Sequence, residues 1–260
     1  MALEVVAFFA HPDDETMLCG GTLALLAAQG ARVHVVIATR GEGGEMGEPP
    51  LSTREELGNV RDRELRCAVE ALNAASLTIL DYVDPTIGPD DKLFAFTEDE
   101  ETLTGQVLHV IRLLKADALI THGENGEYGH PAHVLVYRAA NACMQMLGSE
   151  APLWYTVQGN FPGHPHPHLA NADTPAHMII DVSATLAQKT RAALCHRTQH
   201  ALFVRRASEE AGRKLTVEEV IQAVESLHRV SPAFDGGGKI EDALADLLWA
   251  SGSASLPPAE

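Results

Sequence analysis

Residues 5–15 read Val5-Val6-Ala7-Phe8-Phe9-Ala10-His11-Pro12-Asp13-Asp14-Glu15. The apolar run over 5–9 predicts a buried strand. It leads directly into a histidine and three carboxylates. In parallel α/β sheets, ligands gather just beyond the carboxyl ends of the strands, so this is where a site would be built. Histidine with carboxylates suits metal binding and proton transfer. A polar turn in which Asp caps a helix accounts equally well for this cluster alone. A second cluster, His130-Pro131-Ala132-His133, supplies the further imidazoles a metal site needs.

Strand and helix signals alternate outward from that stretch. Leu18–Gln29 has helical spacing and is closed by Gly30. Val33–Ala38 reads as a strand, Arg54–Asn73 as a helix, and Leu77–Leu80 as a strand. Leu103–Leu114 reads as a helix, Ala118–Thr121 as a strand, and His133–Leu147 as a helix. This order predicts an α/β fold, a Rossmann-like three-layer sandwich with a mostly parallel sheet. The loops after the first strand, after the second (from Arg40), and over 122–133 should open on one edge. Further on, Leu153–Val157 and Met178–Asp181 suggest strands, Ser183–His200 and Thr216–Arg229 suggest helices, and Phe161–Pro175 suggests a Pro- and His-rich loop. No internal repeat or sharp linker divides the chain. One domain is expected over 1–250, with a flexible Gly236–Gly238 segment and a flexible tail over 251–260.

Composition narrows the partners. The chain has 260 residues, 45% of them hydrophobic, enough for one sizeable core. Its formal net charge of -17 argues against nucleic acid or an anionic membrane, which need clustered Lys and Arg. No apolar run approaches the length of a membrane span. The apolar N-terminus lacks a basic leader region and reads as a first strand, so a cytoplasmic location is expected. Cys19, Cys67, Cys143 and Cys195 are widely separated, and free thiols are expected.

The chemistry follows from residue types. His11, Asp14 and His133 can hold a divalent ion as two imidazoles and a carboxylate, leaving a position for water, as in catalytic zinc sites. Iron(II) also uses such a donor set. The ion would acidify water and polarise a carbonyl. Asp13 lies between two of these ligands and can accept the water's proton. His130 can protonate a leaving amine, and Tyr128 can hydrogen-bond the developing oxyanion. Together they suffice for amide hydrolysis.

Ala10–Glu15 together with Tyr128–His133 resembles the LmbE-like, or PIG-L, family of zinc N-acetylglucosaminyl deacetylases, which includes mycothiol- and bacillithiol-pathway deacetylases and mycothiol conjugate amidases. The resemblance extends over roughly residues 3–200, through Thr39–Glu42, the helix with Arg61 and Glu64, Thr121–Gly126 and Cys195–Gln199. It implies His11, Asp14 and His133 as metal ligands, Asp13 as general base, His130 as acid or oxyanion partner and Tyr128 as a mobile oxyanion tyrosine. It also implies that Glu45, Arg61 and Asp84 hold sugar hydroxyls. Ala132 departs from the family, which usually has an Asp there that tunes the neighbouring histidine. Its loss should lower the pKa of His130, with Glu124 or Glu127 available to replace it.

The Gly-rich loop 41–47 does not fit a dinucleotide fingerprint and is expected to be a mobile substrate loop. Arg61 could instead pair with Glu64 or Asp62 on its own helix. His164-Pro165-His166-Pro167-His168 reads as a surface loop or a wall of the substrate pocket, and His196 and His200 as supporting or packing residues. The expected activity is metal-dependent removal of an N-acyl, chiefly N-acetyl, group from a small amino sugar. The alternatives are an amidase of thiol conjugates or other small amides, and a non-catalytic binding module. Assembly into a homo-oligomer is compatible with the sequence.

Overall fold

In the computed structural model, residues 2–234 and 238–258 are described; part of the expected flexible segment 236–238 lies outside them. The chain runs β1 (Glu4–Phe9), α1 (Asp14–Met17), α2 (Gly20–Ala28), β2 (Arg32–Thr39), α3 (Leu57–Ala71), β3 (Ser76–Tyr82), α4 (Glu100–Leu114), β4 (Ala118–Thr121), α5 (Gly126–Gly129), α6 (Pro131–Leu147) and β5 (Leu153–Val157). It continues β6 (Gly159–Asn160), β7 (Asn171–Pro175), β8 (Met178–Asp181), α7 (Leu186–Cys195), α8 (His200–Ala211), α9 (Val217–Val220), β9 (Val224–Ser231), α10 (Ala243–Ala250) and β10 (Ala254–Ser255).

An eight-stranded sheet has the order β10-β8-β9-β5-β4-β1-β2-β3, with β1 to β5 parallel. Strand β1 explains the layering. Its side chains alternate, so Val5, Ala7 and Phe9 pack with Leu23 and Leu26 of α2 and Leu65 of α3, whereas Val6 and Phe8 pack with α4 and α6. Both faces are therefore covered, as a parallel sheet requires. The α/β sandwich and mostly parallel sheet agree with the sequence reading.

Three expectations are corrected. Thr216–Arg229 is not one helix: only Val217–Val220 is helical, and Val224–Ser231 forms β9, antiparallel between β5 and β8. Cys67 and Cys195 form a disulfide rather than free thiols, because α3 and α7 pack together and bring their Cα atoms to 5.7 Å. Cys19 and Cys143 are free and buried. Within the expected tail, Ala254 and Ser255 pair with Ile180 and Ile179 and extend the sheet.

A buried charge pins β9 to the helical layer. The Glu225 carboxylate accepts the Gly21 and Thr22 backbone N–H groups at 2.9 and 2.7 Å, in the first turn of α2, and pairs with Lys189 at 2.8 Å. The positive end of a helix favours an anion there. Glu225→Ala would remove the counter-charge of a buried ammonium and the acceptor of three donors, the two N–H groups and the Thr22 hydroxyl at 2.6 Å. It is expected to lower stability by about 3–5 kcal/mol, seen as a fall in denaturation midpoint with little change in slope. A midpoint like that of the unaltered protein would refute the assignment.

Candidate active site

Strand β1 lies between β2 and β4, where the direction of strand succession reverses. Such a switch point leaves a crevice at the carboxyl ends of the strands. His11 to Asp14 leave β1 there, residues from Arg40 leave β2, and 122–133 leave β4. Asp14 is central. One carboxylate oxygen lies 3.4 Å from His133 Nε2, and the other lies 3.4 Å from His11 Nδ1 and 3.4 Å from His122 Nε2. The latter oxygen also accepts the His11 backbone N–H at 2.8 Å.

Potential donor atoms of His11, His130 and His133, and of Asp14, His122 and His133, lie within 4.8 Å of one another in each group. Hydrogen bonding distinguishes these imidazoles from one another. His130 Nδ1 accepts the Ala132 backbone N–H at 3.2 Å, so the neutral ring carries its proton on Nε2. His122 Nε2 accepts the Ala10 N–H at 3.1 Å, and its Nδ1 donates to Glu127 at 2.9 Å. By contrast, His133 donates Nδ1–H to Glu127 at 2.7 Å, while its buried Nε2 has no hydrogen-bond partner. A fixed tautomer with a bare inward nitrogen is the form a metal requires. Burial disfavours charge on His11, but Asp84 and Asp14 outweigh it and push the imidazole up to about 10. The site thus favours positive charge, and its donors fit a divalent cation.

Glu127 is the functional residue that sequence reasoning placed wrongly. It was expected, as one of two candidates, to replace the missing Asp beside His130. Instead it holds His133 and His122 through one oxygen and accepts the Gly123 N–H through the other at 2.9 Å. Burial opposes its charge, yet His122 and His133 hold it down to about 2. Its backbone is left-handed, at φ 58°, and Asn171 fixes it by accepting its N–H at 3.2 Å. The available signal was the position of an acidic residue six before His133. Ala132 is fully buried, and His130 falls to about 3, first through burial and then through His133 and His11.

Asp13 also has a left-handed backbone, at φ 111°; such strain concentrates at functional sites. Its N–H donates to Glu15 at 2.9 Å, and Glu15 in turn meets His196 at 2.9 Å, which gives His196 its supporting role. Burial pushes Asp13 up to about 7, partly opposed by Arg61 and assisted by Asp14. The buried Arg61 guanidinium lies 3.3 Å from Asp13 and also donates to the carbonyls of Pro12 and Gly41. The glycines of loop 41–47 make this possible, since a Cβ at Gly41 or Gly44 would stand 2.2 or 2.3 Å from that guanidinium. Glu64 accepts from Thr198 N at 2.9 Å and leaves Arg61 free for Asp13.

The other expected residues line the same cavity of about 290 Å³, namely Glu45, Arg61, Asp84, Tyr128 and His130 beside His11, Asp13 and Asp14. The Glu45 carboxylate is engaged by Arg205 at 2.7 and 2.9 Å, and Asp84 lies 3.2 Å from His11 Nε2. Tyr128 is 53% exposed, and its ring meets His130 and His133 edge-on at 5.7 and 5.6 Å. Burial and the surrounding carboxylates raise its pKa, so its hydroxyl stays a donor. A second chamber of about 390 Å³ adjoins Asp13, Asp14, Tyr128 and His133 and is walled in part by His166 and His168 of the Pro- and His-rich loop. Among the described residues, no helix is long and apolar enough to cross a membrane.

Comparison with known proteins agrees with this geometry. The chain is 31% identical over 231 residues to the 1D-myo-inositol 2-acetamido-2-deoxy-alpha-D-glucopyranoside deacetylase of Rhodococcus jostii (strain RHA1), covering 73% of this chain and 79% of that protein. The fold is shared with N,N'-diacetylchitobiose deacetylase from Pyrococcus horikoshii, at TM-score 0.59 and 17% identity over 88% of this chain and 84% of that one. It is shared equally with GalB, the 4-carboxy-2-hydroxymuconate hydratase of Pseudomonas putida KT2440, at TM-score 0.60 and 22% identity over 90% and 99% of the two chains. Since one scaffold carries both a hydratase and a deacetylase, fold does not decide chemistry. Residues 6–144, which contain both histidine clusters, match the family described as PIG-L, GlcNAc-PI de-N-acetylase, and to that family the chain belongs.

Proposed function

We propose that this protein is a zinc-dependent hydrolase that removes an N-acyl group, typically N-acetyl, from a small amino sugar. The observation that carries the reading is the bare Nε2 of His133, buried beside Asp14 and held in its tautomer by Glu127. His11, Asp14 and His133 would hold the ion, which when bound acidifies water and polarises the scissile carbonyl.

The remaining steps belong to the chain's own groups. Asp13 takes a proton from water as its oxygen bonds to the carbonyl carbon. Arg61, at 3.3 Å, keeps that carboxylate in place. Tyr128 donates its hydroxyl to the carbonyl oxygen as negative charge develops there. Asp13 then returns that proton to the nitrogen as the C–N bond breaks, while the neutral His130 can donate its Nε2–H as a hydrogen bond to the carbonyl oxygen beside Tyr128, so a free amine and a carboxylic acid leave. Arg61, Asp84 and the Glu45 segment form the polar wall against which sugar hydroxyls rest.

The test is metal content together with hydrolysis of N-acetylglucosamine derivatives. One zinc per chain and release of acetate are expected; a folded protein that binds no divalent ion would overturn the reading. Tyr128→Phe should lower kcat by about 10²–10³, the cost of one oxyanion donor, with metal content unchanged. Unaltered kcat would remove Tyr128 from the mechanism.

A further inference from the structure

The Pro12–Asp13 peptide is gripped at both ends. Its carbonyl accepts from the Arg61 guanidinium, and its N–H donates to the Glu15 carboxylate at 2.9 Å. The Asp13 backbone that follows lies at φ 111°, a left-handed conformation that persists only where the surroundings impose it. Glu15 imposes it from the N–H side. It is fully buried, and its other oxygen accepts the Thr16 hydroxyl at 2.6 Å and faces His196 Nε2 at 2.9 Å. A carboxylate can only accept, so that nitrogen carries the hydrogen. His196 is fully buried as well, and its Nδ1 has no hydrogen-bond partner among the described residues. The ring is committed to Glu15.

Both grips trace back to helix α3. Arg61, Glu64 and Cys67 follow one another on it at three-residue spacing, the separation at which helix side chains are neighbours. Arg61 holds the Pro12 carbonyl and lies 3.3 Å from the Asp13 carboxylate. Glu64 accepts the Thr198 N–H at 2.9 Å and the Thr198 hydroxyl at 2.6 Å. Cys67 is bonded to Cys195. The segment that carries His196 is thereby fastened to α3 on each side of the histidine.

We propose that Glu15 and His196 are positioning residues for Asp13. They fix the Pro12–Asp13 peptide so that the carboxylate is aimed at the attacking water, and they act on turnover without holding metal or sugar. This rests on Asp13 being the base, as read above, and names the device that sets it.

The test is a double-mutant cycle on the zinc-loaded enzyme, with the N-acetylglucosamine derivative it hydrolyses fastest. His196→Leu removes the Nε2–H donor. It should lower kcat about 10–10²-fold, the scale of a slight misplacement of a reacting group, with KM and zinc content unchanged. His196→Gln offers an amide N–H in place of the imidazole donor and should recover most of that loss. In the Asp13→Asn background, His196→Leu should lower kcat no further, since a residue that acts only through the base has nothing left to position. Thr16→Val keeps the shape of its side chain and removes one donor to Glu15. It should show the same pattern with a smaller loss. Thermal melts establish folding; should His196→Leu not fold, Thr16→Val and its own cycle with Asp13→Asn decide.

Unaltered kcat in the folded variants would overturn the inference. So would an equal loss in both backgrounds, the mark of a general structural role, or a fall in zinc content. In each case the deacylase reading stands so long as Asp13→Asn alone is slow. If Asp13→Asn matched the unaltered protein, the base assignment would fall and this inference with it. If no derivative were hydrolysed, both would fall together.

Discussion

Asp13→Asn is expected to bind metal as the unaltered protein does and to turn over N-acylated amino sugar about 10²–10⁴-fold more slowly, the usual contribution of a positioned general base. In barrier terms that is roughly 2.7–5.4 kcal/mol. The substitution keeps the shape of the side chain, and the Arg61 guanidinium, now 3.3 Å from a carboxylate oxygen, can still donate to an amide oxygen. What disappears is the basic lone pair. Asp13 is suited to the role because burial raises its affinity for a proton while Arg61 prevents it from being permanently protonated. Its neighbour Asp14 is the contrast. Although burial also opposes its charge, His133 and His122 hold it well below the ordinary range, so it remains an anion able to ligate. Two adjacent carboxylates are thus divided by environment in the way the proposed roles of base and ligand require. The measurement is kcat with metal content determined on the same sample. Wild-type turnover by Asp13→Asn would place the base elsewhere.

How far this was legible in the chain differs between residues for physical reasons. Strand β1 and its exit were readable because an unbroken apolar run can only be buried, and His11, Asp13 and Asp14 follow it within a few residues. His133 was readable from a second compact cluster. Strand β9 was not. Val217, Val220, Ile221 and Val224 recur at helical spacing, and Glu225, which looks like a solvent-facing charge, is buried against Lys189. The Cys67–Cys195 bond spans 128 residues, and spacing alone does not select a pairing at that range. Glu45 looked like a loop carboxylate available to a ligand until Arg205, 160 residues on, was found against it. Glu127 was undervalued because its role depends on a left-handed backbone and on the convergence of two imidazoles. Local pattern picks out the residues proposed to touch metal and substrate; the residues that aim them emerge only with tertiary contacts.

His133→Ala is expected to lose the ion altogether and activity with it. Removing one imidazole leaves one histidine and one carboxylate, fewer than the three protein ligands of a catalytic zinc site. Metal content after dialysis should fall to background while the fold persists, since the side chain lies at the start of α6 rather than among the large apolar groups of the core. Glu127→Gln separates ligation from orientation. Glu127 accepts N–H donors from both His133 and His122 on one oxygen, and a neutral amide retains an acceptor but not the charge that makes the imidazoles strong donors. Loss of such a supporting partner typically costs 10–100-fold in metal affinity or activity. Glu127→Gln should therefore bind zinc with a dissociation constant raised by about that factor and recover turnover when zinc is added in excess. His133→Ala should recover nothing at any concentration. Equal metal content in all three proteins would mean that the ion, if one binds, is held by a different set of side chains.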